Sequence, residues 1–370
     1  MKQLLYMKQF WLKNKFVFIA FAVWGVTLQL IERVSYFIPI RTGYFGVSPW
    51  GNFDGVHYVK IAESGYYQYA HAFFPVYPLL MRALHQILPV SYEYIGVGIS
   101  LVSFLIGLMV LYALLRKKSH KIAKYATVFL LAFPTSFFFR TVYTEGLFFL
   151  CVVLVMYFVS KKQFFWTGVV IAIASAIRII GICLALYALI EYIQSKPKKI
   201  RVVDLLGFLI MPVGLFWYMS FLSVTQNDPF LFMHVQSAYG ANRSGSALIS
   251  PPQVVWRYLK MLVTAYMQPT VMSYLVTVLE FVMTGVSYIV LWLGRKRISL
   301  AALLYCLVVL TIPTLTGTFS SMPRYILAAV PFFIILGSIP SKKARILLLL
   351  VSTILEIMAT AVFLRGWFIA

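Results

Sequence analysis

Apolar runs of about 20 residues, separated by short knots of lysine and arginine, leave this chain few folds to choose from. A run of that length is what an α-helix needs to cross a bilayer. The 370 residues are 62% hydrophobic and only 11% charged, more apolar surface than a water-soluble domain can bury. A membrane β-barrel would show short alternating segments, and these runs are continuous. The reading is an all-α polytopic membrane protein.

A formal net charge of +22 invites a nucleic-acid partner, but the positions of the charges argue otherwise. Most of the 32 Lys and Arg fall at 1–15, 116–124, 161–162, 195–201, 295–297 and 342–345, each next to or between apolar runs. That is the bias of cytoplasmic loops, and such clusters also touch anionic lipid. Membrane lipid is therefore the expected partner, and nucleic acid is not.

With the basic clusters inside, the spans come in pairs and number about eleven. The first is expected at Phe16 to Phe37, a retained span and not a cleaved signal, because no small-x-small site precedes Glu32. The third is expected at 122–139, and a short pair turns near Arg178 to Gly181. Residues 38–93 form a long first outer loop and 224–271 a second, where Trp256, Arg257, Lys260 and Pro269 suggest an interfacial helix. Residues 1–370 read as a single membrane domain, N-terminus in the cytoplasm and C-terminus outside. Cys151, Cys183 and Cys306 lie inside apolar runs without metal-site spacing and read as buried hydrophobes.

A topology drawn from Lys and Arg clusters alone then places nearly every unusual polar residue on one face. Asp54, His57, Lys60, Glu145, Asp228, Gln236, Arg243 and Arg324 fall there, with Arg178 at the outer turn of the short pair. One polar site facing away from the cytoplasm is implied. Its centre is the stretch Trp50 to Arg82, where Tyr58, Tyr66, Tyr67, Tyr69, Phe73, Phe74 and Tyr77 suggest an aromatic belt at headgroup level.

Asp54 opens a helix at 55–63 and reads either as its N-cap or as a general base. His57 and Lys60 follow at helical spacing, as solvated residues or as cations for a phosphate. Glu145 and Arg178 sit at membrane depth, where an ionisable group implies function or a partner, including each other. One carboxylate with cations does not suit glycosidic hydrolysis, which needs two carboxylates. It does suit a sugar leaving from a lipid phosphate, which needs positive charge but no proton donor. No P-loop, HExxH or dinucleotide fingerprint is present.

Ordered motifs over roughly residues 45 to 330 resemble those of GPI mannosyltransferase II (the PIG-V type) and its bacterial relatives, which are GT-C glycosyltransferases. Asp54-Gly55-Val56-His57-Tyr58 and Ala72-Phe73-Phe74-Pro75-Val76-Tyr77-Pro78 are similar to that family's first outer loop. Tyr143-Thr144-Glu145, Ala176-Ile177-Arg178, Asp228-Pro229-Phe230 with Gln236, and Pro323-Arg324-Tyr325 resemble its later segments. Phe53, Gly55 and Asn227 depart from the usual Trp, Ser and Gly.

The resemblance implies a GT-C-like bundle with interfacial helices in its first outer loop. It implies an inverting hexosyl transfer, with mannose the expected sugar, from a polyprenyl-phosphate-linked donor to a lipid-linked, wall-polymer or protein acceptor. By that carry-over Asp54 is the base, and Arg178 and Arg324 hold the lipid phosphate. Glu145, Asp228 and Gln236 shape the sugar or acceptor pocket. The resemblance names no certain cofactor and leaves a divalent metal open, as in some GT-C enzymes, though no ligand cluster here demands one. The expected place is the extracytoplasmic face of a bacterial plasma membrane. The alternatives are a transporter or flippase for a lipid-linked saccharide, which would need polar groups through the midplane, and a non-catalytic scaffold of envelope glycan synthesis.

Overall fold

A computed structural model describes residues 2–41, 48–197, 199–241, 243–264 and 270–369, with residues 2–10 as backbone only. Among the described residues there is no strand. The first span, α1 (Lys2–Ser35), leads to a long loop holding α2 (Asp54–Ser64) and α3 (Val76–His85), and α4 (Tyr92–Arg116) returns. Then come α5 (His120–Leu131), α6 (Glu145–Ser160), α7 (Phe164–Ile177) and α8 (Leu184–Gln194). α9 (Val202–Ile210) and α10 (Val213–Gln226) form one span broken at Pro212, followed by the short α11 (Leu231–His234) and the amphipathic α12 (Pro251–Val263). The chain finishes with α13 (Val271–Gly294), α14 (Leu300–Thr314), the single turn α15 (Met322–Tyr325), α16 (Val330–Gly337) and α17 (Lys342–Leu364).

Five of these segments are long and apolar enough to cross a bilayer: α1, α4, α9–α10, α13 and α17. The apolar helices α6, α7, α8 and α14 are shorter. With α5 and α16, of 12 and 8 residues, five full-length and six shorter helices among the described residues stand where the charge pattern predicts eleven spans. Pro269, one cue for the interfacial helix, lies outside the described residues.

The basic connections meet at one end of the bundle. Arg116 donates to the Lys13 carbonyl at 2.6 Å, Arg201 to that of Lys162 at 2.8 Å, and Ser299 to the Glu191 carboxylate at 2.6 Å. Three of these turns start the next helix the same way. The hydroxyls of Ser119, Ser299 and Ser341 accept the third amide of α5, α14 and α17, a cap that lets a helix begin abruptly after a charged loop.

Small residues bring neighbouring backbones together, as lipid-embedded helices require. A Cβ on Gly168 would lie 2.0 Å from the Gly207 carbonyl, and one on Gly214 would lie 1.8 Å from that of Ala172. The three cysteines are buried and free.

Two expectations are corrected here. The third span ends as a helix at Leu131, not 139; Pro134 lacks an amide to continue it, and Ala132–Thr144 runs on as buried turns with a 3₁₀ turn at Ser136–Phe139. The aromatic belt is instead a packed core. Tyr58, Phe73, Phe74 and Tyr77 are buried because α2, α3 and their linking turn fold down on α4 and α10, leaving Tyr69 exposed.

Candidate active site

Opposite the basic end, the long loop, the 132–144 turns, the α7–α8 break and α15 converge around one cavity of about 1450 Å³. Asp54 is placed by backbone. Phe53 takes a left-handed φ of 57°, and its ring packs against Phe363 and Phe368 at 5.5 and 5.3 Å. The Tyr143 hydroxyl accepts from the Asp54 amide at 3.2 Å and donates to the Asn52 carbonyl at 3.0 Å. Val142 donates to the Trp50 carbonyl at 3.0 Å.

The turn at Phe53 starts α2 at Asp54 itself, one residue early, and the carboxylate caps nothing. It projects into the cavity, so the capping alternative falls away. Asp54 Oδ2 accepts from Arg324 Nη1 at 2.6 Å. Arg324 Nε stands 3.4 Å from Glu145 Oε1, and the same oxygen accepts from Arg178 Nη1 at 2.5 Å. The result is an alternating chain, Asp54–Arg324–Glu145–Arg178, along the cavity wall.

Each arginine sits over two aromatic rings. Arg324 lies 5.5 and 5.4 Å from the rings of Phe138 and Tyr143; Arg178 lies 5.8 and 5.4 Å from Phe148 and Tyr325. Such stacking suits a planar guanidinium better than an ammonium. Arg178 reaches inward because α7 stops at it in an extended conformation. Gly181 then lets the 3₁₀ turn Ile179–Cys183 fold against Ala174, where a Cβ would meet backbone at 2.3 Å.

Burial pushes the Asp54 carboxyl up, but the charge and hydrogen bond of Arg324, aided by Arg243, hold it below the usual carboxylate value. Asp54 is therefore ionised at neutral pH. His57 lines the same cavity, stacked 4.8 Å from Phe73 with Nδ1 hydrogen-bonded to the Tyr67 hydroxyl. Burial lowers its pKa, so it faces the cavity neutral and not as a cation.

Gln236 also lines the cavity, its amide donating to the Phe232 carbonyl at 3.0 Å. Lys60 and Asp228 do not line it. Lys60 is exposed, its ammonium 4.2 Å from the Tyr67 ring. Asp228 accepts from the Phe230 amide at 2.9 Å and pairs with His234 at 2.6 Å, stapling the start of α11.

Other wall residues carried no role in the sequence reading: Arg41, Arg243, Arg257 and Glu280. Charge pattern placed Arg243 on this face, but nothing near Glu280 in sequence signals that the middle of a long helix borders the cavity. Among the described residues no three His, Cys, Asp or Glu gather to hold a metal ion. Arg324 already fills the space between Asp54 and Glu145, so these donors do not fit a divalent cation and no step below runs through one.

Residues 40–196 match the family model described as mannosyltransferase (PIG-V). The fold is similar to that of ArnT from Cupriavidus metallidurans, solved bound to undecaprenyl phosphate: TM-score 0.50 and 14% identity, covering 93% of this chain and 76% of ArnT. The likeness is one of fold, an all-helical membrane bundle. No curated protein matches it by sequence. The family match covers the elements that carry Asp54, Glu145 and Arg178 and stops before Gln236 and Arg324.

Proposed function

We propose that this protein moves a hexose, mannose by its family likeness, from a polyprenyl-phosphate donor to a hydroxyl acceptor at the extracytoplasmic face of the plasma membrane. The observation that carries the reading is the ionised Asp54 carboxylate on the wall of a large cavity, with Arg324 and Arg178 beside it. The acceptor oxygen attacks the anomeric carbon and its proton passes to Asp54. The bond from that carbon to the phosphate oxygen breaks, and the electron pair leaves with the polyprenyl phosphate. The departing phosphate gains negative charge, which the Arg178 and Arg324 guanidinia offset. One displacement inverts the anomeric centre.

Asp54 suits this role because a base only has to be unprotonated and within reach as the acceptor proton becomes acidic. The test is transfer of labelled hexose from a polyprenyl-phosphate donor in proteoliposomes of the full chain. Asp54→Asn is expected to fold normally and lose about 10³-fold in rate. Turnover within a few-fold of the parent would end the proposal.

A further inference from the structure

We propose that Glu280 is a positioning residue for this transfer, holding the turn that presents Arg324 to Asp54; the inference rests on the function proposed above. Glu280 lies within α13, 5% exposed, and borders the cavity. Its Oε1 accepts from the Ser321 amide at 3.2 Å, and its Oε2 accepts from the Tyr258 hydroxyl of α12 at 2.6 Å. The Tyr258 oxygen in turn accepts from the Phe319 amide at 3.1 Å, and Thr318 Oγ1, 3.0 Å from it, accepts from the Ser320 amide at 3.1 Å. Three successive amides of one turn are thus satisfied by side chains, and Glu280 anchors two of them directly or through Tyr258.

The turn needs holding. Ser321 sits at φ 65°, a left-handed conformation that a serine adopts only when its surroundings impose it. α15 begins at the next residue, the Arg324 amide donates to the Ser321 carbonyl at 3.0 Å, and among the described residues Arg324 alone forms an ion pair with Asp54. An acid buried in a transmembrane helix carries a cost that a packing role would not offset. Here its two oxygens fix the backbone three residues before the guanidinium that the chemistry uses.

A glycine at 321 would take the left-handed conformation without help, and this separates positioning from direct contact with substrate. In the full-length protein, Glu280→Ala is expected to lower kcat about 10–100-fold, the scale of a 1 Å misplacement. Its acid limb should move to higher pH, because Asp54 loses the cation that holds its carboxyl down. The charged and titratable groups around Asp54 are Arg324, His57 and Arg243, with the phenols of Tyr58, Tyr143 and Tyr239; Arg324 is carried by the turn, whereas Arg243 touches it only at the Ser320 hydroxyl, 3.5 Å from its Nη2.

Adding Ser321→Gly should recover most of the lost rate and return the acid limb. Glu280→Gln, which keeps an acceptor for the Ser321 amide, should fall between parent and alanine variant. No recovery in the double variant, or an unmoved limb, overturns the proposal. Carbodiimide labelling of Asp54, followed by mass spectrometry across pH, gives a readout that needs no turnover. The pH at which labelling falls should rise in Glu280→Ala and return with Ser321→Gly. If the parent transfers no sugar yet labelling behaves this way, the function has failed and the positioning stands; unchanged labelling removes the positioning alone.

Discussion

Two buried carboxylate clusters in this molecule face opposite fates. At the cavity, Asp54 and Glu145 are held by the guanidinia of Arg324 and Arg178, and open volume lies beside them. Between α1, the 132–144 turns and α17, Glu356 Oε1 accepts from Ser136 Oγ at 2.5 Å and Trp24 Nε1 at 3.0 Å. Those donors are neutral, and Glu356 does not line the cavity. Both clusters bury an acid at a cost. Only the first keeps charges of both signs next to space a ligand can enter, which is what a reaction that builds charge requires. The second joins three segments of the bundle and offers nothing to react with.

The comparison breaks most sharply at Arg324. Arg324→Ala should cost about 10²–10³-fold in transfer, since a charge aimed at the leaving phosphate is lost. Arg324→Lys keeps the charge but loses the fork and the stacking on Phe138 and Tyr143, and should recover only part of it. With alanine, the burial of Asp54 loses its main counterweight and the acid limb of the rate profile shifts up. The stability sign follows: a carboxylate held below its unfolded value stabilises the fold above that value and loses the contribution as pH falls through the folded one. Acid unfolding of the alanine variant should therefore depend less on pH in this range than that of the parent. Equal pH profiles for parent and variant would mean the ion pair does not tune Asp54.

At Glu356 the expected pattern is reversed. Glu356→Gln still offers an oxygen to Ser136 and Trp24 and should leave both melting and transfer close to the parent. Glu356→Ala removes a buried acceptor but leaves Trp24 Nε1 its bond to Ser136 Oγ and Ser136 its bond to the Leu131 carbonyl, costing about 1 kcal/mol, with the rate per folded molecule unchanged. Loss of turnover in a well-folded Glu356→Gln would erase the distinction between the two clusters.

That distinction was only half legible in the sequence. The alternation of spans could be read because lipid forces backbone groups into helices and charge clusters fix which ends meet. Knowing the ends was enough to bring Asp54, Glu145, Arg178 and Arg324 to one face. The chain Asp54–Arg324–Glu145–Arg178 itself was not legible, because it depends on φ at Phe53 and on the break at Arg178, where neither glycine nor proline marks the position. The outer aromatics misled for a related reason. Composition alone cannot separate rings at a lipid interface from rings packed into the small core that holds α2 in place. Glu356 and Glu280 looked alike as acids within apolar helices, and only the packing of α12 and α15 against α13 tells them apart.

The smallest effects should come from Asp228 and Lys60, chosen by motif and spacing and lying off the cavity wall. Asp228 sits below the usual carboxylate value because His234 bonds to it, yet the pair is well exposed, with 29% and 51% of the side chains accessible. Exposed pairs contribute about 0–1 kcal/mol. An asparagine would keep the acceptor for the Phe230 amide. Asp228→Asn and Lys60→Gln should each leave transfer within about 3-fold of the parent, in keeping with that energy scale. A loss of 100-fold or more with Asp228→Asn would carry a specific meaning. It would place the segment from α11 to Arg243, whose Tyr239 hydroxyl donates to the Tyr69 carbonyl at 2.7 Å, against the substrate during turnover. The reactive region would then extend from the four-residue ionic chain to the second outer loop.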